Sequence, residues 1–305
     1  MFSTLLGPLP PAAPEPASDD ADGLASTVRA LEEAGLELLA SGAAPLDPAT
    51  PAVDVVAAWR RVAGLTERPV KGVLLGPFEA GRVASSGSSE AASRAAAEML
   101  AISIAALAAT GCPIVEIVEP DLGSIVADAT ERGRFVDAHR WLFAALGTTE
   151  PGIHCSLAVG GGNLDPAGPA TFFELPYPSY AFDLIDGPDN WRLIAAAPTD
   201  RGIVCGAISA RADGDETREL LVWAAHYAAS TGGRGLDRVG LANAGSLAGL
   251  PRDVAFRKLR RIAEASRIAA ASPGDASTQL DPRAFGGRRG RPGARAVTLE
   301  PPAGG

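Results

Sequence analysis

Short apolar runs alternate with segments of helical periodicity along almost the whole chain, and this alternation limits the fold more than any other feature. Candidate strands lie at 4–6, 36–40, 70–75, 114–118, 152–158, 181–185, 203–207 and 239–242. Apolar residues at i, i+3, i+4 spacing follow at 90–110, 133–146, 189–196, 217–230 and 252–270. Eight strand-then-helix alternations, with strands apolar on both faces, predict a single (β/α)8 TIM barrel, a closed parallel sheet with helices outside. The barrel is expected over about residues 3–271, within a domain taken as 1–271. A doubly wound sheet is the alternative. Against it, no G-x-G-x-x-G follows the first strand, and the glycine run Gly160 to Gly162 comes after the fifth strand without opening a helix.

Residues 272–305 are dense in Gly, Pro and Arg and nearly free of periodic apolar side chains, so burial cannot offset the entropy of ordering them. They are expected to form a disordered C-terminal tail, with Arg288, Arg289 and Arg291 solvated. The whole chain carries 27 basic and 36 acidic side chains, a formal charge of −9, which argues against a generic nucleic-acid binder. No uninterrupted apolar run approaches the roughly 18–20 residues of a membrane span. The first residues also lack the basic start and continuous apolar centre of a secretory signal. A soluble, cytoplasmic protein with no membrane contact is expected. Cys112, Cys155 and Cys205 are odd in number and form no C-x-x-C pair, so they are expected as reduced, buried thiols.

Chemistry in such barrels sits where strands end and the following loops begin, and there the sequence carries a series of motifs. They are EAGLELLASG (33–42), KGVLLGP (71–77), GCPIVEIVEP (111–120), IHCSLAVG (153–160) and FDLIDGPDNW (182–191). In this order they resemble the cobalamin-independent methionine synthase family, within the uroporphyrinogen decarboxylase and methionine synthase-like barrel superfamily. The resemblance covers about residues 3–270.

It implies a barrel in which zinc, held by His, Cys, Glu and a second Cys, activates the homocysteine thiol for attack on the methyl group of methyltetrahydrofolate. At the corresponding positions this chain has Ser156, Ala158, Asp186 and Ser246. Two hydroxyls, a methyl and one short carboxylate lack the sulfur and imidazole donors zinc requires, so no zinc is expected. Val118 and Ala43 stand where the resemblance places acids that hold the amino group of homocysteine. Glu119 and Pro120 keep the family pattern. The expected site is therefore Glu119, Ser156, Asp186 and Ser246 around one cavity at the C-terminal mouth, with Asn243 beside them.

Other candidates follow from strand alternation. His154 and Cys155 are adjacent on a strand and must face opposite ways, which excludes them as a Cys/His nucleophile pair. His154 near the barrel mouth is a ligand candidate or a residue bonding the next strand. Glu116 and Glu119 also point differently, and Glu119 at the strand end reads as the pocket acid. Asp183 lies within its strand, facing inward or outward according to register, and Asp189 is expected to cap the next helix. Trp191 opens that helix and could stack on a flat ligand, while Trp59, Trp141 and Trp223 read as packing residues. His139 and His226 read as surface or interhelical.

The leading expectation is a methionine synthase-like barrel without the zinc and homocysteine site. It would bind a small polar or pteridine-like, folate-like ligand, with methyl transfer as its chemistry if it is an enzyme. A non-catalytic partner or regulatory barrel, acting with a partner protein or as a homo-oligomer, is the alternative. A zinc-dependent 5-methyltetrahydropteroyltriglutamate-homocysteine methyltransferase is the third.

Overall fold

The computed structural model describes residues 1–11, 20–85, 89–147, 152–271 and 275. The expected tail, 272–305, otherwise lies outside the described residues. In chain order the elements are β1 (Phe2–Ser3), α1 (Asp20–Ala34), α2 (Ala52–Ala63), β2 (Lys71–Leu75), α3 (Pro77–Ser85), α4 (Glu90–Ala109), β3 (Ile114–Glu119), α5 (Gly123–Ala127) and α6 (Ala129–Leu146). They continue with β4 (His154–Val159), α7 (Ala170–Phe173), β5 (Ser179–Asp183), α8 (Trp191–Ala196), β6 (Gly202–Ser209), α9 (Arg218–Ser230), β7 (Val239–Ala244) and α10 (Arg252–Ala270).

The seven strands form one parallel sheet in the order β1-β7-β6-β5-β4-β3-β2. A doubly wound sheet reverses its strand order at a switch point. Here the order runs from β2 to β7 without reversal, and β1 follows β7, so the sheet curls. Residues 38 and 39 bridge its two edges, Leu38 pairing with Thr4 and Leu39 with Val70, both parallel. The Leu38 amide donates to Ser3 O at 3.1 Å and the Leu39 amide to Pro69 O at 2.9 Å. The expected strand at 36–40 thus appears as single bridges rather than a ladder.

Alternation along each strand separates two apolar regions. Outward side chains such as Val115, Ile117, Leu157, Phe182, Cys205 and Leu241 are buried in the main core beneath the helices. Inward side chains form a small second cluster of Leu6, Ala158, Ala181, Val204 and Ala242, with Phe2 and Val118 packed against it. Barrel interiors are usually filled by bulky branched residues; here alanines leave room. Phe2 supplies volume only because Gly240 lacks a side chain, since a Cβ there would lie 2.7 Å from Phe2 Cζ.

By length and composition α4 is apolar enough to cross a membrane. It buries Ala97, Leu100, Ile104 and Leu107 and packs against α3 and α6, as a core helix does.

All three cysteines are free and buried. Burial pushes the Cys112 thiol up, Cys155 up to about 11 and Cys205 up to about 12. The thiolate is the reactive form, so a disulfide-exchange reagent at pH 8 is expected to label none of the three within minutes in the native protein and all three in denaturant. Rapid native labelling would contradict this burial.

Candidate functional site

The sparse inward face leaves a cavity at each end of the curled sheet. The one at the C-terminal strand ends, about 290 Å³, is walled by Leu6, Leu75, Val118 and Ala158, with Asp183 and Ser246 at its edge. The one at the N-terminal ends, about 350 Å³, has Phe2, Ile114 and Val204 as apolar wall and Ser156, His154 and Ser179 as polar groups. Glu116 lines both. It is 3% exposed, and its Oε2 accepts from Lys71 Nζ at 2.5 Å, the ammonium also donating to Leu5 O at 2.7 Å. This buried ion pair stands between the two cavities. Desolvation pushes the Lys71 ammonium below its ordinary pKa, with Glu116 opposing that shift.

Asp183 ends β5 on the inward face, opposite Gly206 of β6. Its Oδ1 accepts from the amides of Ile185 at 2.8 Å and Asp186 at 2.9 Å, which turns the chain out of the strand. Burial nevertheless raises its carboxyl above the ordinary value. Asn190, fully buried, fixes this corner: its Nδ2 donates to Asp183 O and Gly162 O, and its Oδ1 accepts from Leu164 N. Ser246, after β7, is exposed, and its Oγ accepts from Ala248 N at 3.2 Å.

The four-residue convergence expected from the sequence does not occur. Glu119 faces outward and is fully buried, away from the cavity. Its Oε1 accepts from Phe78 N at 3.0 Å and its Oε2 from Glu79 N at 2.9 Å, so the carboxylate caps the amino-terminal turn of α3. His139 Nε2 lies 3.2 Å from Oε1, and its Nδ1 is 2.7 Å from the Tyr177 hydroxyl. His139 is thus buried against a strand end rather than on the surface. Of the two glutamates on β3 it is Glu116, not Glu119, that faces the interior.

His154 and Ser156 do face inward, but His154 opens β4 at the N-terminal end, opposite the expected mouth, and its Nε2 is 2.7 Å from Ser179 Oγ. Ser156 belongs to that same cavity. Asp186 lies beyond the strand end, half-exposed and paired with Arg211, so Asp183 takes the inward carboxylate position. Asn243 is fully buried and structural: it accepts from Leu6 N and donates to Leu6 O and Gly245 O, tying the chain after β1 to β7. Trp191 packs outside the sheet, its ring centroid 5.0 Å from Trp223 and 5.3 Å from Tyr227, and does not face a cavity. Asp189 does not cap α8; it bonds Asn163 and lies 3.2 Å from Arg192.

Close approach explains glycine at two places near these loops. A Cβ on Gly76 would lie 2.2 Å from Glu119 Oε1, so glycine admits the capping carboxylate. Gly160 and Gly161 allow the loop after β4 to approach the loop after β3, where their Cβ atoms would meet Pro120 O at 2.6 Å and Leu122 N at 2.5 Å. That glycine run brings two loops together.

No protein-family profile and no curated protein matches the sequence. Solved structures do match the fold. A B12-independent methionine synthase from Shewanella sp. W3-18-1, in complex with selenomethionine, superposes with a TM-score of 0.71 at 13% identity, covering 88% of this chain and 97% of that one. A Listeria monocytogenes protein assigned as a vitamin-B12 independent methionine synthase gives 0.63 at 12% identity, with coverage of 88% and 97%. A methyltransferase from Methanosarcina mazei gives 0.58 at 13% identity, with coverage of 82% and 86%. The chain thus has the fold of methionine synthase-like barrels.

Proposed function

We propose that the chain is a divergent methionine synthase-like (β/α)8 barrel, with residues 36–40 as its eighth stave, that binds a small polar or pteridine-like molecule in its C-terminal cavity. The observation that carries this reading is Asp183, a partly buried carboxylate at the edge of an otherwise apolar cavity. Ligand pockets are commonly apolar, with a few placed polar groups that set orientation. A carboxylate beside an apolar slot suits the paired N–H donors on the edge of an aminopyrimidine ring, and Ser246 adds a hydroxyl. The reading places the protein in the cytoplasm.

The zinc of the family's enzymes does not fit this donor set. Ala158 has no donor, Ser156 belongs to the other cavity, Asp186 is held by Arg211, and Ser246 offers only a hydroxyl. Among the described residues no group of three His, Cys, Asp or Glu side chains could hold a metal ion. The homocysteine amine also has no acid at Val118, which lies on the cavity wall. Methyl transfer, if it occurs, would then go to a non-thiol acceptor. Asp183 and Glu116 are the only titratable side chains along this cavity among the described residues, which favours, as second reading, a regulatory barrel that binds without chemistry.

Calorimetry is expected to show 5-methyltetrahydrofolate binding, weakened at least about tenfold by Asp183→Asn, and homocysteine binding no tighter than about millimolar. Elemental analysis is expected to find less than one zinc per chain. Asp183→Asn is expected not to destabilise the protein at pH 7. The folded carboxyl is raised above its unfolded value by burial, so its favourable contribution is present at low pH and lost as pH rises through the folded value. At neutral pH the charged, partly buried form costs stability, so the amide is expected to be at least as stable as the carboxylate. Micromolar homocysteine binding with stoichiometric zinc would overturn the reading.

A further inference from the structure

We propose that the cavity at the N-terminal strand ends is a second binding site, on the face opposite the C-terminal mouth, for a small flat aromatic amine or amidine. Its volume of about 350 Å³ is at the small end of the range of ligand pockets, roughly 300–1,000 Å³. The observation that points to a ligand is Glu116. One carboxylate oxygen bonds Lys71, while Oε1 has no hydrogen-bond partner among the described residues; Glu116 lines this cavity as well as the C-terminal one. An unsatisfied buried acceptor is costly, and a donor entering the cavity would relieve it.

The surroundings define the chemistry of that donor. Phe2, Ile114 and Val204 form an apolar wall suited to a ring, and Phe2 is held in place over Gly240. The Ser156 and Ser179 side chains lie along the same cavity, with His154 beside Ser179. His154 is exposed at the start of β4, and partial desolvation of its ring lowers the imidazole pKa. At the rim Asp200 is paired with Arg201 at 3.7 Å, and Asp237 stands beside Arg238, so the charges there nearly offset. What selects the ligand is Glu116 Oε1, an acceptor without a partner among the described residues, which favours N–H donors and disfavours an anion. The faces of such barrels at the N-terminal strand ends ordinarily serve stability; here the alanine- and glycine-rich interior leaves that end open.

Benzamidine, a flat ring with a cationic two-donor head, is the probe. The full chain has three histidines, so the imidazole 1H–13C resonances give a local readout in the unmodified protein, with His154→Gln assigning the signal. The expected result is a saturable shift of the His154 resonance with the exposed His226 unmoved. Apparent affinity should fall at least about tenfold in Glu116→Gln and in Ser156→Leu, which fills the cavity, and stay within about twofold in Asp183→Asn. Benzoate, of the same shape and opposite charge, should leave His154 unshifted. A His154 resonance unmoved by benzamidine up to about 10 mM, an equal response to benzoate, or an equal loss in Asp183→Asn would each overturn the proposal. The first two outcomes leave the reading of the C-terminal cavity intact, and the third moves the probe into it.

Discussion

Glu119→Ala is expected to lower the unfolding free energy by about 4 kcal/mol, although residue 119 reaches no cavity. Hydrogen bonds to an ionised group contribute about 1.5–3 kcal/mol each, and this carboxylate accepts two from the start of α3. Removing it leaves the Phe78 and Glu79 amides without their acceptor and His139 without its neighbour. Glu119→Gln keeps an oxygen for one amide and should lose about half as much. Gly76→Ala should approach the cost of Glu119→Ala, because its Cβ would occupy the position of Oε1. The pair should be strongly non-additive, since truncating Glu119 makes room for the added methyl. For a domain of this size the Glu119→Ala loss corresponds to a fall in Tm of about 10 °C, measurable by calorimetry. A fall of less than about 2 °C, or additive effects at the two positions, would show that the cap contributes little.

The second large effect concerns the ion pair in the interior. Breaking a buried pair by removing one partner costs about 3–5 kcal/mol, because the other charge stays buried without compensation. Lys71→Met should therefore destabilise by about that amount, with Leu5 O also losing its donor. Glu116→Leu should do the same, leaving an ammonium among apolar walls. The double variant Lys71→Met, Glu116→Leu should recover most of the loss, as apolar replacement of whole buried pairs often does. A coupling energy of about 5 kcal/mol or more from denaturant unfolding of the four proteins is the expected outcome. Additivity within about 0.5 kcal/mol would mean that the two side chains act independently.

The sequence and the structure agree on the alternating elements and differ on what faces where. Alternation of apolar runs and helical periods located β2 to β7 within about two residues, because that pattern is set locally, while the first strand, expected at 4–6, lies at Phe2–Ser3. At 36–40 the backbone bonds both neighbours but pairs through single residues only. The inward and outward assignment was harder to read. β3 carries two glutamates three residues apart, and nothing local says which one meets a lysine 45 residues away and which one a helix terminus. Asp183 and Asp186 posed the same problem, settled by an Asp side chain that bonds the amides two and three residues on. That Asx turn was a readable signal that β5 stops at 183. The role of Asn243 depends on Leu6, 237 residues away, and has no sequence signature.

The carboxylate of Glu119 has a consequence for how such chains are recognised. Gly76-Pro77 and Glu119-Pro120 belong to the most recognisable motifs in this sequence, and they meet one another: the glycine vacates the space, the proline begins the helix, and the glutamate holds its first amides. They join the end of one strand to the helix that follows its neighbour. A chain of this fold needs this joint whatever it binds. Such signatures therefore report architecture, and ligand contacts have to be looked for at inward positions such as Asp183 and Glu116, which the same motifs carry beside the structural residues.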